Sequence, residues 1–299
     1  MTKEEKVDRV IHQHEASGKY AQLDGIKVFY LDEGAGEVVF CIHGVPTSSF
    51  LYRKIVKGIA HHGLRGVALD LPGLGFSDRP KNYEYLFSNF AGVCQRLLDH
   101  LGIDRFHLVI HDVGAPVGLA LAAQNQSKVK SLTVLNSMLD IENFTKPLPM
   151  RPFELPVLGE AELATLNHTT WKLLLKYSGL QNVESVPEEE LDAHIDLLKR
   201  DDGGDAFLKI MRNFEQTPEF SQLCYSAVHD VPYPIQLIWG KNDNFLDFET
   251  HGNHFLEAAP TARVYQLDSK HFLQEEYPNF IADKVADLAR IAQGQSHQI

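Results

Sequence analysis

Leu108-Val109-Ile110-His111-Asp112-Val113-Gly114-Ala115-Pro116 decides the fold: an apolar strand runs into an aspartate and then, through a glycine, into the small-residue start of a helix. In a strand-turn-helix elbow the side chain at the tip is lifted out of the sheet. The helix N-terminus behind it offers free N–H groups and the positive end of the helix dipole. A carboxylate at that tip is ionised at neutral pH, can displace a leaving group from an alkyl carbon, and would make an ester of the protein. The same position also suits an aspartate that only caps the following helix. This segment alone leaves both open.

Working outward, Val38-Val39-Phe40-Cys41-Ile42 is a buried strand that runs into His43-Gly44-Val45-Pro46-Thr47-Ser48-Ser49, again a turn and a helix cap. Later, Ile235-Gln236-Leu237-Ile238-Trp239 leads into Gly240-Lys241-Asn242-Asp243, and Arg263-Val264-Tyr265-Gln266-Leu267 leads into Asp268-Ser269-Lys270-His271-Phe272-Leu273. These strands deliver Val45, Asp112, Asp243 and His271 at their C-terminal ends. In an open parallel sheet, that is the edge where active sites assemble. The chain order nucleophile, acid, histidine is the order of α/β-hydrolase triads.

The rest of the pattern alternates strand and helix. A strand at Lys27–Leu31 is entered from the Asp24-Gly25 turn, and helices are expected near Ser49–His61, Leu86–Leu101, Gly114–Gln124 and Asn279–Ala292. Alternation of this kind predicts an α/β protein with a mostly parallel sheet wrapped by helices. Between Ser137 and about Pro232 the strand signal disappears, replaced by helical, acid-rich sequence that opens with the breaker-rich Lys146-Pro147-Leu148-Pro149-Met150-Arg151-Pro152. The expected organisation is therefore a core at 1–138 and 229–299 and an inserted helical cap at 139–228, before the last two strands. Glu188-Glu189-Glu190 reads as a solvated outer face and Asp201-Asp202 as a loop. Gln293 to Ile299 reads as a fraying tail.

With 299 residues, of which 44% are hydrophobic, the chain can bury a large core. A formal charge of −12 argues against nucleic acid or an anionic membrane as partner, since both need a basic face. The opening Met1-Thr2-Lys3-Glu4-Glu5-Lys6 does not read as a secretory signal, and no apolar run approaches the ~20 residues needed to span a bilayer. A cytoplasmic monomer or homodimer is the expectation. Cys41, Cys94 and Cys224 are scattered and read as buried free thiols. His251 and His254 are three apart on an expected helix, without the carboxylate or thiol set that a metal site needs. Gly73-Leu74-Gly75 lacks the third glycine and the helix context of a dinucleotide loop and reads as a turn. Neither metal nor cofactor is implied.

Five segments together resemble the α/β-hydrolases of the haloalkane dehalogenase and epoxide hydrolase group: His43 to Ser49, Asp70-Leu71-Pro72-Gly73-Leu74-Gly75-Phe76-Ser77-Asp78, His111 to Gly114, Trp239 to Asp243, and His271-Phe272-Leu273-Gln274-Glu275-Glu276-Tyr277-Pro278. The resemblance covers nearly the whole chain apart from about the first fifteen residues and the tail. It implies Asp112 as nucleophile, His271 as base, Asp243 as the acid that orients it, and the backbone N–H groups of Val45 and Val113 as oxyanion hole. Small apolar organic molecules and water would be the reactants. The carbon–halogen reading stands slightly ahead because Pro46 to Ser49 and His271 to Gln274 look most like that branch. Epoxide hydrolysis, or another ring opening by the same triad, is the alternative, and a non-catalytic ligand-binding protein is the third.

Departures from the family concern the leaving group. Haloalkane dehalogenases generally carry a Trp directly after the nucleophile, and many an Asn after His-Gly; here these are Val113 and Val45, with no side-chain donor. Trp171 in the expected cap is the candidate replacement. Where Ile210-Met211-Arg212-Asn213-Phe214 resembles the segment that bears an epoxide-protonating Tyr, Met211 stands instead, leaving Tyr177 and Tyr225 as candidate donors. Trp171, Tyr177, Met211 and Phe272 are thus the expected substrate contacts. Ile110, two before the nucleophile, is bulky where the family usually has a small residue, so a shifted or strained elbow is expected.

Overall fold

The computed structural model describes residues 1–296. Its elements run α1 (Lys3–Ser17), β1 (Gly18–Leu23), β2 (Ile26–Gly34), β3 (Val38–Ile42), α2 (Arg53–His61), β4 (Arg65–Leu69), α3 (Phe87–His100), β5 (Phe106–Asp112), α4 (Gly114–Gln124) and β6 (Val129–Ser137). Then come α5 (Leu158–Thr165), α6 (His168–Leu174), α7 (Glu188–Lys199), α8 (Asp205–Arg212) and α9 (Pro218–Ser226). The chain closes with β7 (Ile235–Gly240), α10 (Asn253–Ala258), β8 (Arg263–Leu267), α11 (Leu273–Glu276) and α12 (Pro278–Ser296).

The eight strands form one sheet in the order β1-β2-β4-β3-β5-β6-β7-β8. Pairing is antiparallel for β1/β2 and β2/β4 and parallel from β4 onward. Strand β3 is buried at every position, and so is β5 up to its half-buried last residue, Asp112. Continuous apolar runs of this sort are what a parallel strand covered on both faces requires. Helix α4 is buried along almost its whole length, which its Gly and Ala content permits by letting sheet and helix backbones approach.

The elbow, expected to be shifted or strained, carries a register irregularity between His111 and Asp112 and a positive φ at Asp112, yet Ile110 itself is accommodated. Gly118, one turn into α4, leaves the space that Ile110 fills: a Cβ at 118 would lie 2.4 Å from Ile110 Cγ2. Room lost before the turn is recovered after it.

Helices α5–α9 all lie between β6 and β7, strands that are neighbours in the sheet through Leu132↔Ile235 to Leu135↔Ile238. The sheet is therefore continuous beneath this long excursion. Among the elements not read in the sequence are α1 and β1. Helix α1 starts in a capping box, with Thr2 Oγ1 accepting from Glu5 N–H and Glu5 Oε2 from Thr2 N–H. It packs on α7, where Lys3 reaches Asp192 at 2.8 Å. Strand β1 follows directly from the C-cap Gly18. At the other end, α12 continues to Ser296, so the first part of the tail read as fraying is helical, and 297–299 lie outside the described residues. The three cysteines are free and buried. No helix among the described residues is long and apolar enough to cross a membrane.

Candidate active site

Asp112 ends β5 with φ +53°, a left-handed conformation that Asp tolerates better than most residues and that turns its side chain off the strand line. Its Oδ1 accepts the Val45 N–H at 2.9 Å. Gly44 makes that approach possible, because a Cβ there would fall 2.2 Å from the same oxygen. The backbone carbonyl of Asp112 accepts the Ser137 hydroxyl at 2.6 Å, tying the elbow to β6.

His271 follows β8 and is almost fully buried. Its Nδ1 lies 2.8 Å from Asp243 Oδ2, and its Nε2 lies 3.6 Å from Asp112 Oδ2. The segment is clamped from two sides: His271 N–H donates to Ser178 O and Phe272 N–H to Gly179 O, while His271 O accepts from His111 Nε2 at 3.0 Å. Asp243, after β7, accepts the Phe245 and Leu246 N–H groups on Oδ1 and the Asn136 amide on Oδ2 at 2.5 Å. Asn136 in turn accepts the Gly240 N–H at 2.8 Å.

The electrostatics follow from this packing. Burial alone would raise the Asp112 and Asp243 carboxyls, yet the hydrogen bonds and charge of His271 hold both below the ordinary value. Burial alone would lower His271, but the two carboxylates raise it well above the ordinary imidazole range. The two carboxylates thus favour the imidazolium form of His271. His111, beside it, is pushed down to about 3 by burial and then by the His271 charge. It stays neutral.

A narrow cavity of about 40 Å³ opens onto this group. Val45, Asp112, Val113 and His271 stand in its wall, and of the expected substrate contacts so do Trp171, Met211 and Phe272. Tyr177 does not: it is 64% exposed and absent from the wall, because on the turn Leu175–Gly179 the inward positions are Leu175, Ser178 and Gly179. Tyr225 lies instead in a shallow acidic groove with Asp140, Glu142 and Glu257. Trp171 meets the cavity with its ring only. Its indole N–H donates to Leu191 O at 2.9 Å, so it is not the free donor the sequence suggested.

The model of the alpha/beta hydrolase fold family matches residues 37–278 of this chain. The chain belongs to the alpha/beta hydrolase family. It is 26% identical over 273 residues to haloalkane dehalogenase 2 of Mycobacterium bovis, covering 87% of this hydrolase and 91% of that one. A solved haloalkane dehalogenase from Bradyrhizobium elkani superposes with a TM-score of 0.78 at 24% identity, over 93% of this chain and 99% of that one. An epoxide hydrolase from Vigna radiata superposes with 0.73 at 21%, over 91% and 97%. At these identities the superpositions speak for the fold alone.

Sequence reasoning missed several residues of this hydrolase. Asn136 could have been found: Leu135-Asn136-Ser137 ends an apolar strand in polar residues at the same sheet edge as the expected triad. Lys146, quoted only as the start of a breaker-rich stretch, stands in the cavity wall. Glu275, in the helix after His271, is buried, and its carboxylate accepts from Arg53 (2.5 and 2.8 Å), Lys54 (3.0 Å) and His194 (3.0 Å). Arg53 also holds Glu190 at 2.5 Å, so the run Glu188 to Glu190 is not wholly the solvated face expected of it. Helix periodicity turns Glu190 inward, onto the cation.

Proposed function

We propose that this hydrolase acts on small, largely apolar carbon electrophiles through an ester of Asp112. The observation that carries the reading is the Asp112 carboxylate itself, held at the elbow by the Val45 N–H at 2.9 Å with His271 Nε2 3.6 Å from its other oxygen. Ionised and facing an apolar cavity, it attacks a carbon and releases the leaving group. Esterification then removes the Asp112 charge, one of the influences that keep His271 protonated. The imidazolium becomes more acidic and gives its proton to solvent, so that His271 is neutral when a base is needed. His271, oriented by Asp243, takes a proton from water, which adds to the ester carbonyl. The backbone N–H groups of Val45 and Val113 receive the developing oxyanion, each such donor being worth ~10²–10³ in rate.

In this reading helices α5–α9 act as the cap, with 139–228 as the cap and 1–138 and 229–299 as the core. The carbon–halogen substrate is supported by the resemblance of Pro46 to Ser49 and by the relative named as a dehalogenase. The wall speaks the other way: Val45 and Val113 offer no side-chain donor for a halide, and the Trp171 indole is engaged.

Intact-mass spectrometry of His271→Gln after exposure to 1-bromohexane or 1,2-epoxyhexane tests the proposal. With the base removed, an adduct mapping to Asp112 is expected to persist, and its mass names the electrophile. A chain that stays unmodified by both, while still binding them, would make this a ligand-binding member of the fold.

A further inference from the structure

Of the wall's side-chain N–H groups, Trp171's is spent on Leu191 and His271's stand between two carboxylates, which leaves Lys146. Lys146 is 5% exposed, and its Nζ sits 3.7 Å over the centroid of Phe214, itself a wall residue. Lys146 thus lines the cavity, with its ammonium packed on one wall residue, Phe214, and bonded to Glu154. One N–H bonds Glu154 Oε1 at 2.6 Å, and the others have no acceptor among the described residues. Burial, only partly offset by Glu154, lowers its pKa from the ordinary lysine value. The ammonium is made a readier proton donor than a surface lysine.

We propose that Lys146 is the acid that serves the leaving group, and that the substrate class is accordingly an epoxide. The inference rests on the Asp112 ester reading and deepens it. An Asp112 oxygen bonds to a ring carbon and the ring C–O bond breaks. Its electron pair goes to the ring oxygen, which takes a proton from Lys146 Nζ and leaves a neutral amine. In the second stage water gives a proton to His271 and its hydroxide to the ester carbonyl. The Asp112 acyl–oxygen bond breaks, the departing alkoxide takes the proton from His271, and a diol leaves. The proton remaining on the regenerated Asp112 carboxyl returns Lys146 to its ammonium form through solvent. One epoxide and one water are consumed. Halide is a stable anion and needs no proton, whereas an alkoxide is strongly basic, so the acid matters far more to ring opening.

The experiment follows ester formation by intact mass in His271→Gln, with and without Lys146→Met, a substitution of similar length lacking the proton. Probes are 1,2-epoxyhexane and 1-bromohexane. The expected result is a loss of ~10²-fold or more in the epoxide rate, within the range general acids contribute, and of less than ~10-fold in the bromide rate. Equal slowing on both probes, or no slowing on the epoxide, overturns the proposal. If only the epoxide reacts, that arm decides, with melting close to the parent's as the control for folding. If neither probe esterifies the chain with Lys146 intact, the Asp112 reading itself fails and this one with it. Lys146→Arg separates charge from proton transfer: it restores the bromide rate but not the epoxide rate.

Discussion

The C-terminal edge of the sheet and the helical excursion over it are held together by different forces. At the edge, Asp112, Asn136 and Asp243 sit at or just beyond strand ends and are fixed by neighbouring strands or turns through backbone groups, as Val45 N–H, Gly240 N–H and Leu246 N–H do. In the excursion, Met211 and Phe214 are placed by side chains packed on side chains. Backbone hydrogen bonds locate an atom to a few tenths of an ångström, which chemistry on a carbon needs. Helix packing locates a surface, and a surface suffices to choose a substrate. The difference predicts that substitutions at the edge act on rate, whereas those at packed positions of the excursion such as Met211 act on stability and affinity, Lys146 being the proposed exception.

The largest expected effect is at the edge. Asp112→Ala should reduce turnover of any substrate by at least ~10⁴-fold, the scale seen when a covalent nucleophile is removed. Melting should shift little, because the carboxylate is partly exposed and keeping Ala at φ +53° costs roughly 1 kcal/mol. Steady-state kinetics beside calorimetry measure both. Retained turnover would mean that the reacting atoms lie elsewhere.

Next comes the joint between the regions. Glu275 ties α2 and α7 to the helix that follows His271, and its carboxyl, despite burial, is held well below the ordinary range by Arg53. Glu275→Gln leaves Arg53 short of a partner in a buried place, which typically costs about 3–5 kcal/mol. Melting should fall by roughly 10 °C at neutral pH. A depressed carboxyl contributes stability above its unfolded pKa and loses it as pH falls through the folded value. The gap between parent and variant should therefore narrow on acidification below about 4.5, the ordinary glutamate value. A constant gap across that range would mean that Glu275 acts by shape rather than by charge.

The same contrast explains what the sequence disclosed. Val45, Asp112, Asp243 and His271 were legible because an apolar run that stops at a turn fixes where its last residue lies, whatever packs around it. Trp171 and Met211 were legible as wall residues but not in their orientation. Whether an indole N–H faces a cavity or the carbonyl of Leu191 depends on the rotation of α6 against α7, and nothing local in the chain sets that angle. Tyr177 went astray for the same reason, by its phase on a single turn. Lys146 is the converse case. A lysine in a proline-rich stretch reads as solvated, and only the seating of Phe214 and Glu154 around it puts it in the cavity wall.

Trp171→Phe is the smallest expected effect and the one that tests the orientation. If the indole N–H held a departing halide, its loss would remove a charged hydrogen bond of about 1.5–3 kcal/mol and slow esterification by 1-bromohexane by roughly 10–10²-fold. The bond to Leu191 O predicts otherwise. That carbonyl lies inside α7 and retains a helical N–H partner, so the loss is that of a single neutral hydrogen bond and some packing, about 1–2 kcal/mol of stability. Esterification of His271→Gln should change by less than ~3-fold, and melting should fall by a few degrees. A tenfold loss of the bromide rate at unchanged melting would show that the indole turns toward the cavity when a substrate is bound, and α6 would then share in the chemistry as well as the fit.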